Sequence, residues 1–122
     1  MSPEGGLRAA IGTYFDGLYE SDVNKLGEVF HPRAIYATAD EATPLYRDMD
    51  EYFAVVAARP SPESRKEARK DAIDEIRFSG DNTAFARVRC SIGNRDFVDF
   101  LSFVRENDRW LIIAKVFQII EH

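Results

Sequence analysis

The chain has 122 residues, of which 45% are hydrophobic and 30% charged, with a formal net charge of −5. Length and composition fit one soluble domain, residues 1–122, with one core. The acidic balance excludes nucleic acid as a main partner, since phosphate binding needs a basic surface. No apolar run reaches membrane-spanning length and the start MSPEGG lacks the regions of a signal peptide. Cys90 is the only cysteine, so no internal disulfide forms and a reducing cytoplasm is the expected compartment.

Pro3 to Gly6 reads as a loose lead. Leu7, Ile11, Tyr14 and Leu18 recur at helical spacing, which predicts a first helix from about Leu7 to Tyr19. Gly12 and Gly17 weaken it by roughly 1 kcal/mol each, so packing must make up the loss. Ser21 or Asp22 caps a second helix carrying Leu26, Val29 and Phe30, and His31-Pro32 ends it. Ala34 to Thr38 reads as a short strand and Asp40 to Pro44 as a polar loop. Asp48 and Glu51 have the spacing of a capping box and open a third helix anchored by Tyr52, Phe53 and Val56; Arg59-Pro60 stops it. Ser61 to Lys70, SPESRKEARK, is a charged connector, expected to be solvated because Glu63 and Glu67 interleave its basic residues.

From Asp71 onward the chain reads as strand. Asp71 to Phe78 and Thr83 to Ile92 flank Ser79-Gly80-Asp81-Asn82. Gly93-Asn94 is a two-residue turn that sets Val88 opposite Asp99, Ala86 opposite Leu101 and Cys90 opposite Phe97. A second turn at Asn107-Asp108 sets Phe103 opposite Ile112, Leu101 opposite Ala114 and Asp99 opposite Val116. Both turns place Phe97, Asp99, Leu101, Phe103, Trp110, Ile112, Ala114 and Val116 on one inner face. The other face carries Phe100, Val104, Leu111, Ile113, Lys115 and Phe117, with Arg87 and Arg89. Both faces are largely apolar, so both need a cover. Early helices and a late antiparallel meander make an α+β fold. A long twisted sheet curls around the three N-terminal helices into a cone.

Four stretches carry a family resemblance: LYESDVNKLGEVFHP (18–32), EYFAVVAARPSP (51–62), SGDNTAFARV (79–88) and DFVDFLSFVRENDRWLIIAKVF (96–117). On these the chain resembles the nuclear transport factor 2-like superfamily, closest to the branch named putative lumazine-binding and close to the SnoaL-like polyketide cyclases. The resemblance implies a cystatin-like cone fold with a cavity between sheet and helices. It also implies dimers that pair sheet to sheet. It does not specify an activity, because the fold hosts isomerases, dehydratases, cyclases and binding domains.

Asp99 is the one charged residue near mid-strand on the inner face. A carboxylate there must find a donor or take up a proton. Its structural role competes with one in ligand contact. Tyr14, on the buried stripe of the first helix, needs a partner for its hydroxyl. The resemblance to ketosteroid isomerases implies that Tyr14 and Asp99 are a pair of oxyanion donors; that enzyme is a standard example of a neutral acid donating a hydrogen bond. The same correspondence sets the catalytic base at Thr38, which cannot abstract a proton from carbon. Asp40 and His31 remain as candidate bases, although His31 at a helix end also has a plain structural role. Phe97, Trp110, Tyr36 and Tyr52 are candidate wall residues, each equally at home in packing. Two separated histidines and one cysteine supply no metal site, and no motif calls for a cofactor.

The first expectation is therefore a small-molecule-binding domain, without demonstrable catalysis, for a small hydrophobic or aromatic ligand. The alternatives are a lyase or isomerase that polarises a carbonyl with Tyr14 and Asp99, and a purely structural dimerisation module. In each case the homodimer forms through Phe100, Val104, Leu111, Ile113 and Phe117 on the outer face, with Arg87, Arg89 and Lys115 available for pairing across a twofold axis.

Overall fold

The computed structural model describes residues 2–122. Helix α1 (Pro3–Glu20) starts four residues earlier than the hydrophobic stripe indicates, taking in the supposed lead. Ser2 caps it by accepting from the Gly5 amide at 3.1 Å, and Pro3 sits in the first turn, where its missing N–H costs nothing. Ser21, left-handed at φ 51°, closes the helix. Helix α2 (Val23–Val29) is capped by Asp22, and strand β1 (Phe30–Thr38) follows at once. A three-residue strand, β2 (Leu45–Arg47), precedes α3 (Met49–Ala58). Asp48 and Glu51 form the expected capping box on α3.

Strands β3 (Asp71–Ser79), β4 (Thr83–Ile92), β5 (Arg95–Glu106) and β6 (Arg109–Glu121) form the meander. The whole sheet has six strands in the order β2-β1-β6-β5-β4-β3. It is mixed rather than antiparallel, because β1 lies parallel to β6. The sheet is curved and open at both edges, and the helices cover its inner face. Leu7, Ile11, Leu18, Leu26, Val56, Ala86, Val88, Leu101, Phe103 and Ile112 form the core between them.

The β4–β5 register is the expected one: Val88 opposite Asp99, Ala86 opposite Leu101, Cys90 opposite Phe97. Gly93 takes φ +63° in the turn, a conformation that glycine adopts without strain. Asn107 and Asp108 both have positive φ, as a tight hairpin turn requires.

The β5–β6 register departs from expectation halfway along. Phe103 pairs with Ile112, but a bulge then sets Ser102 opposite Ala114, Leu101 opposite Lys115 and Asp99 opposite Phe117. One extra residue reverses every later side chain. Lys115 and Phe117 therefore point inward, and Ala114 and Val116 outward. Phe117 is 7% exposed and no longer belongs to the outer face. Lys115 is not available for pairing across a twofold axis.

The connector between α3 and β3 keeps its charged side chains in solvent, but its backbone is tied to α1. The Tyr19 hydroxyl donates to the Glu67 carbonyl at 2.7 Å, and the Glu63 amide donates to the Tyr19 carbonyl at 3.0 Å.

Candidate functional site

Helix α1 brings Tyr14 to the inner face of β5. There its hydroxyl donates to Asp99 Oδ2 at 2.5 Å. Both residues are fully buried. The Cys90 thiol approaches the same oxygen at 3.8 Å, while Asp99 Oδ1 has no partner. Burial, and then the Asp99 charge, push the Tyr14 phenol well above its usual range. The same causes raise the Cys90 thiol, so both groups hold their protons and neither is a nucleophile at neutral pH.

The bulge in β6 delivers a third polar group, Lys115, to this neighbourhood. Its ammonium lies 5.2 Å from the ring centroids of Tyr14, Tyr52 and Phe117 and 5.4 Å from that of Tyr36. This is an aromatic cage of the kind that holds cations by their attraction to ring faces. Its hydrogen bond to the Tyr52 hydroxyl is long, at 3.4 Å. Burial alone would lower the pKa of Lys115, but the opposing charges of the Tyr52 oxygen and Asp99 raise it overall. The ammonium is therefore the form at neutral pH. Tyr52, on α3, has its own phenol raised by burial against the lowering pull of Lys115 and Arg59.

Above Lys115 lies a narrow cavity of about 30 Å³. Leu18, Tyr36, Tyr52, Arg59, Cys90, Ile92, Phe97 and Phe117 surround it, with Lys115 at its floor. Tyr36 and Tyr52 stack at 4.5 Å to make one wall. Of the residues singled out in the sequence, Tyr36, Tyr52 and Phe97 thus line the cavity. Tyr14 and Asp99 are fully buried and do not line it. Trp110 packs edge-on against Phe78 at 5.6 Å, near the opposite end of the β5–β6 hairpin.

Neither candidate base lines the cavity. Asp40 is exposed and accepts from the Ile119 amide at 2.9 Å. His31 contacts Glu106 at 2.8 Å and accepts from the Arg33 amide at 3.0 Å. Thr38 is buried, donates to the Phe117 carbonyl at 2.8 Å and accepts from the Asp40 amide, which is a strand-end clasp. Among the described residues no cluster of His, Cys, Asp or Glu is arranged to hold a metal. Among the described residues, no helix is long and apolar enough to cross a membrane.

Lys115 and Arg59 were not anticipated as site residues. Lys115 had a visible signal, a lone charge in the apolar run LIIAKVF, but the unseen bulge assigned it to the wrong face. Arg59 gave only the signal of a helix stop beside Pro60.

The family profile described as Putative lumazine-binding matches residues 2–118, nearly the whole chain. The chain belongs to this family. Solved structures agree on the fold of this lumazine-binding-family chain. A nuclear transport factor 2-like protein of unknown function from Silicibacter pomeroyi superposes with a TM-score of 0.82 at 21% identity, covering 98% of this chain and 100% of the other. One from Shewanella baltica gives 0.84 at 21% identity, covering 98% and 94%. One from Methylobacillus flagellatus gives 0.81 at 18% identity, covering 95% and 90%. No curated protein matches the sequence.

Proposed function

We propose that this chain is a small-molecule-binding domain that performs no catalysis and works as a cytoplasmic homodimer. The observation that carries the reading is Lys115. A buried ammonium with one long hydrogen bond forms the floor of an aromatic-walled cavity, and no general base stands beside it. At about 30 Å³ the cavity holds one or two waters, so a ligand must widen it; a few polar groups among apolar walls are what such a site uses. The 2.5 Å Tyr14–Asp99 bond favours a second reading, a lyase or isomerase with two donors at a carbonyl. That reading lacks both access, since Tyr14 and Asp99 are fully buried, and a base, since Asp40 and His31 are engaged elsewhere. A thermal-shift screen of small aromatic and aliphatic compounds tests the binding reading. Compounds that raise the Tm of the wild type, and not that of Lys115→Met, support it. Turnover of a carbonyl substrate abolished by Tyr14→Phe overturns it.

The homodimer rests on the outer sheet face. Phe100 and Val116 are each 49% exposed there and Ile35 is 55% exposed, with Val104, Leu111 and Ile113 half-buried beside them. An apolar patch of this kind marks an interface. The partner is a second copy, as the resemblance implies, with Ile35 and Val116 replacing Phe117 in the contact set. Arg89 pairs within its own chain, with Asp74 at 2.8 and 2.9 Å, which leaves the centre of the patch to apolar contacts. Light scattering at micromolar concentration is expected to give the mass of two chains, and Phe100→Asp that of one. A monomeric wild type refutes the dimer.

A further inference from the structure

The cavity has more buried donors than acceptors. Lys115 offers three N–H groups and uses one, at 3.4 Å. Arg59 Nε is buried without a partner. Among the described residues, no carboxylate lies within ion-pair distance of either cation. Lys115 is buried and Arg59 half-buried, and the one buried carboxylate whose charge acts on Lys115, Asp99, has its Oδ2 already taken by Tyr14. Leaving a buried donor unmade is costly, and an excess positive charge in a low-dielectric site is costlier still.

Building on the binding reading above, we propose that the cavity takes the carboxylate of a small organic acid, held between Lys115 and Arg59. A monoanion balances the extra charge. Its two oxygens satisfy the free Lys115 protons and the orphan Arg59 Nε–H, and such charge-assisted bonds are the strong ones. Size agrees: about 30 Å³ is room for one or two waters, or for a carboxylate head. The body of the acid needs more room than this and parts Phe97, Phe117, Leu18 and Ile92, which line the same cavity. A neutral ring leaves both donors unmade. An organic cation meets two like charges.

The probes are benzoate, its neutral isostere benzamide, and benzylamine, each titrated by calorimetry and by the ¹⁵N resonance of Arg59 Nε–H. Benzoate is expected to move that resonance to saturation and to bind at least about tenfold tighter than benzamide. Arg59→Gln, a change at the half-buried mouth that leaves the core intact, is expected to erase this preference. Lys115→Met does the same if it folds. Equal binding of benzoate and benzamide, or a preference for benzoate that survives Arg59→Gln, overturns the carboxylate assignment and leaves the cavity as a binding site. Tight binding of benzylamine does likewise. Failure of all three probes to bind overturns both the assignment and the binding reading.

Discussion

Replacing Lys115 with methionine tests the polar floor directly. The side chain is 6% exposed, so methionine fills nearly the same space while removing the charge. Four ring faces lose their cation. At about 0.5–1 kcal/mol each, and sharing one ammonium, these contacts contribute about 2 kcal/mol. Asp99 then remains buried with the Tyr14 hydroxyl and the weak Cys90 thiol as its only donors. Removing the ammonium whose charge acts on Asp99 from beyond ion-pair distance leaves that buried group less compensated, at about 1–3 kcal/mol, and the two losses overlap. A net destabilisation of about 3 kcal/mol follows. In a chain of this size that lowers Tm by about 12 °C. Urea unfolding at fixed protein concentration measures it, since any self-association makes apparent stability concentration-dependent. Lys115→Met combined with Asp99→Asn is expected to lose at least about 1 kcal/mol less than the sum of the single changes. A Lys115→Met variant within about 0.5 kcal/mol of wild type, or strict additivity in the cycle, refutes the electrostatic coupling of Lys115 to Asp99.

Other outcomes follow from the same geometry. Gly17→Ala places a Cβ 2.7 Å from Leu26 Cδ2 and 2.9 Å from Cγ; Leu26 is fully buried and cannot swing aside, so overcrowding outweighs the helix gain and stability falls by about 1 kcal/mol. Gly12→Ala meets nothing within 4 Å and is expected to add about 0.5–1 kcal/mol, so equal effects at the two positions in chemical denaturation contradict the close helix approach. Tyr14, Tyr52 and Lys115 all have folded pKa values raised above their unfolded ones. Their stability contribution is full below about pH 10 and is lost as pH rises, because the unfolded chain releases protons that the fold retains. With all three groups titrating, the slope reaches about 4 kcal/mol per pH unit; Tyr14→Phe should reduce it by about a third, and a Tm unchanged from pH 8 to 11 excludes the raised values.

The sequence carried the β4–β5 register completely, because Gly93-Asn94 admits one tight turn and the pairing then propagates residue by residue. That placed Asp99 inside, helical spacing placed Tyr14 on the buried stripe of the first helix, and the resemblance paired the two. The second half of β6 was not legible. Its residues are apolar on both faces, so no alternation fixes the phase, and a bulge leaves no mark in such a run. Lys115 was assigned outward for that reason. The parallel pairing of β1 was equally hidden, since it joins Phe30 to Ile112 across most of the chain without a local turn to announce it. The early start of α1 was readable in Ser2-Pro3, but the glycines at 5 and 6 obscured it.

The placement of β6 also sets the order in which the molecule can be built. It comes after the other five strands in the chain, yet it lies in the sheet interior between β1 and β5. A nascent chain halted before Arg109 has a three-stranded meander, a separate β1–β2 hairpin, and no strand to join them. Its N-terminal helices then have only half a floor for their apolar stripes. Closing so distant a contact is slow, and the waiting surface is prone to aggregation. Until β6 is in place, the apolar stripe that runs from Leu7 to Leu26 is therefore the surface most open to such aggregation.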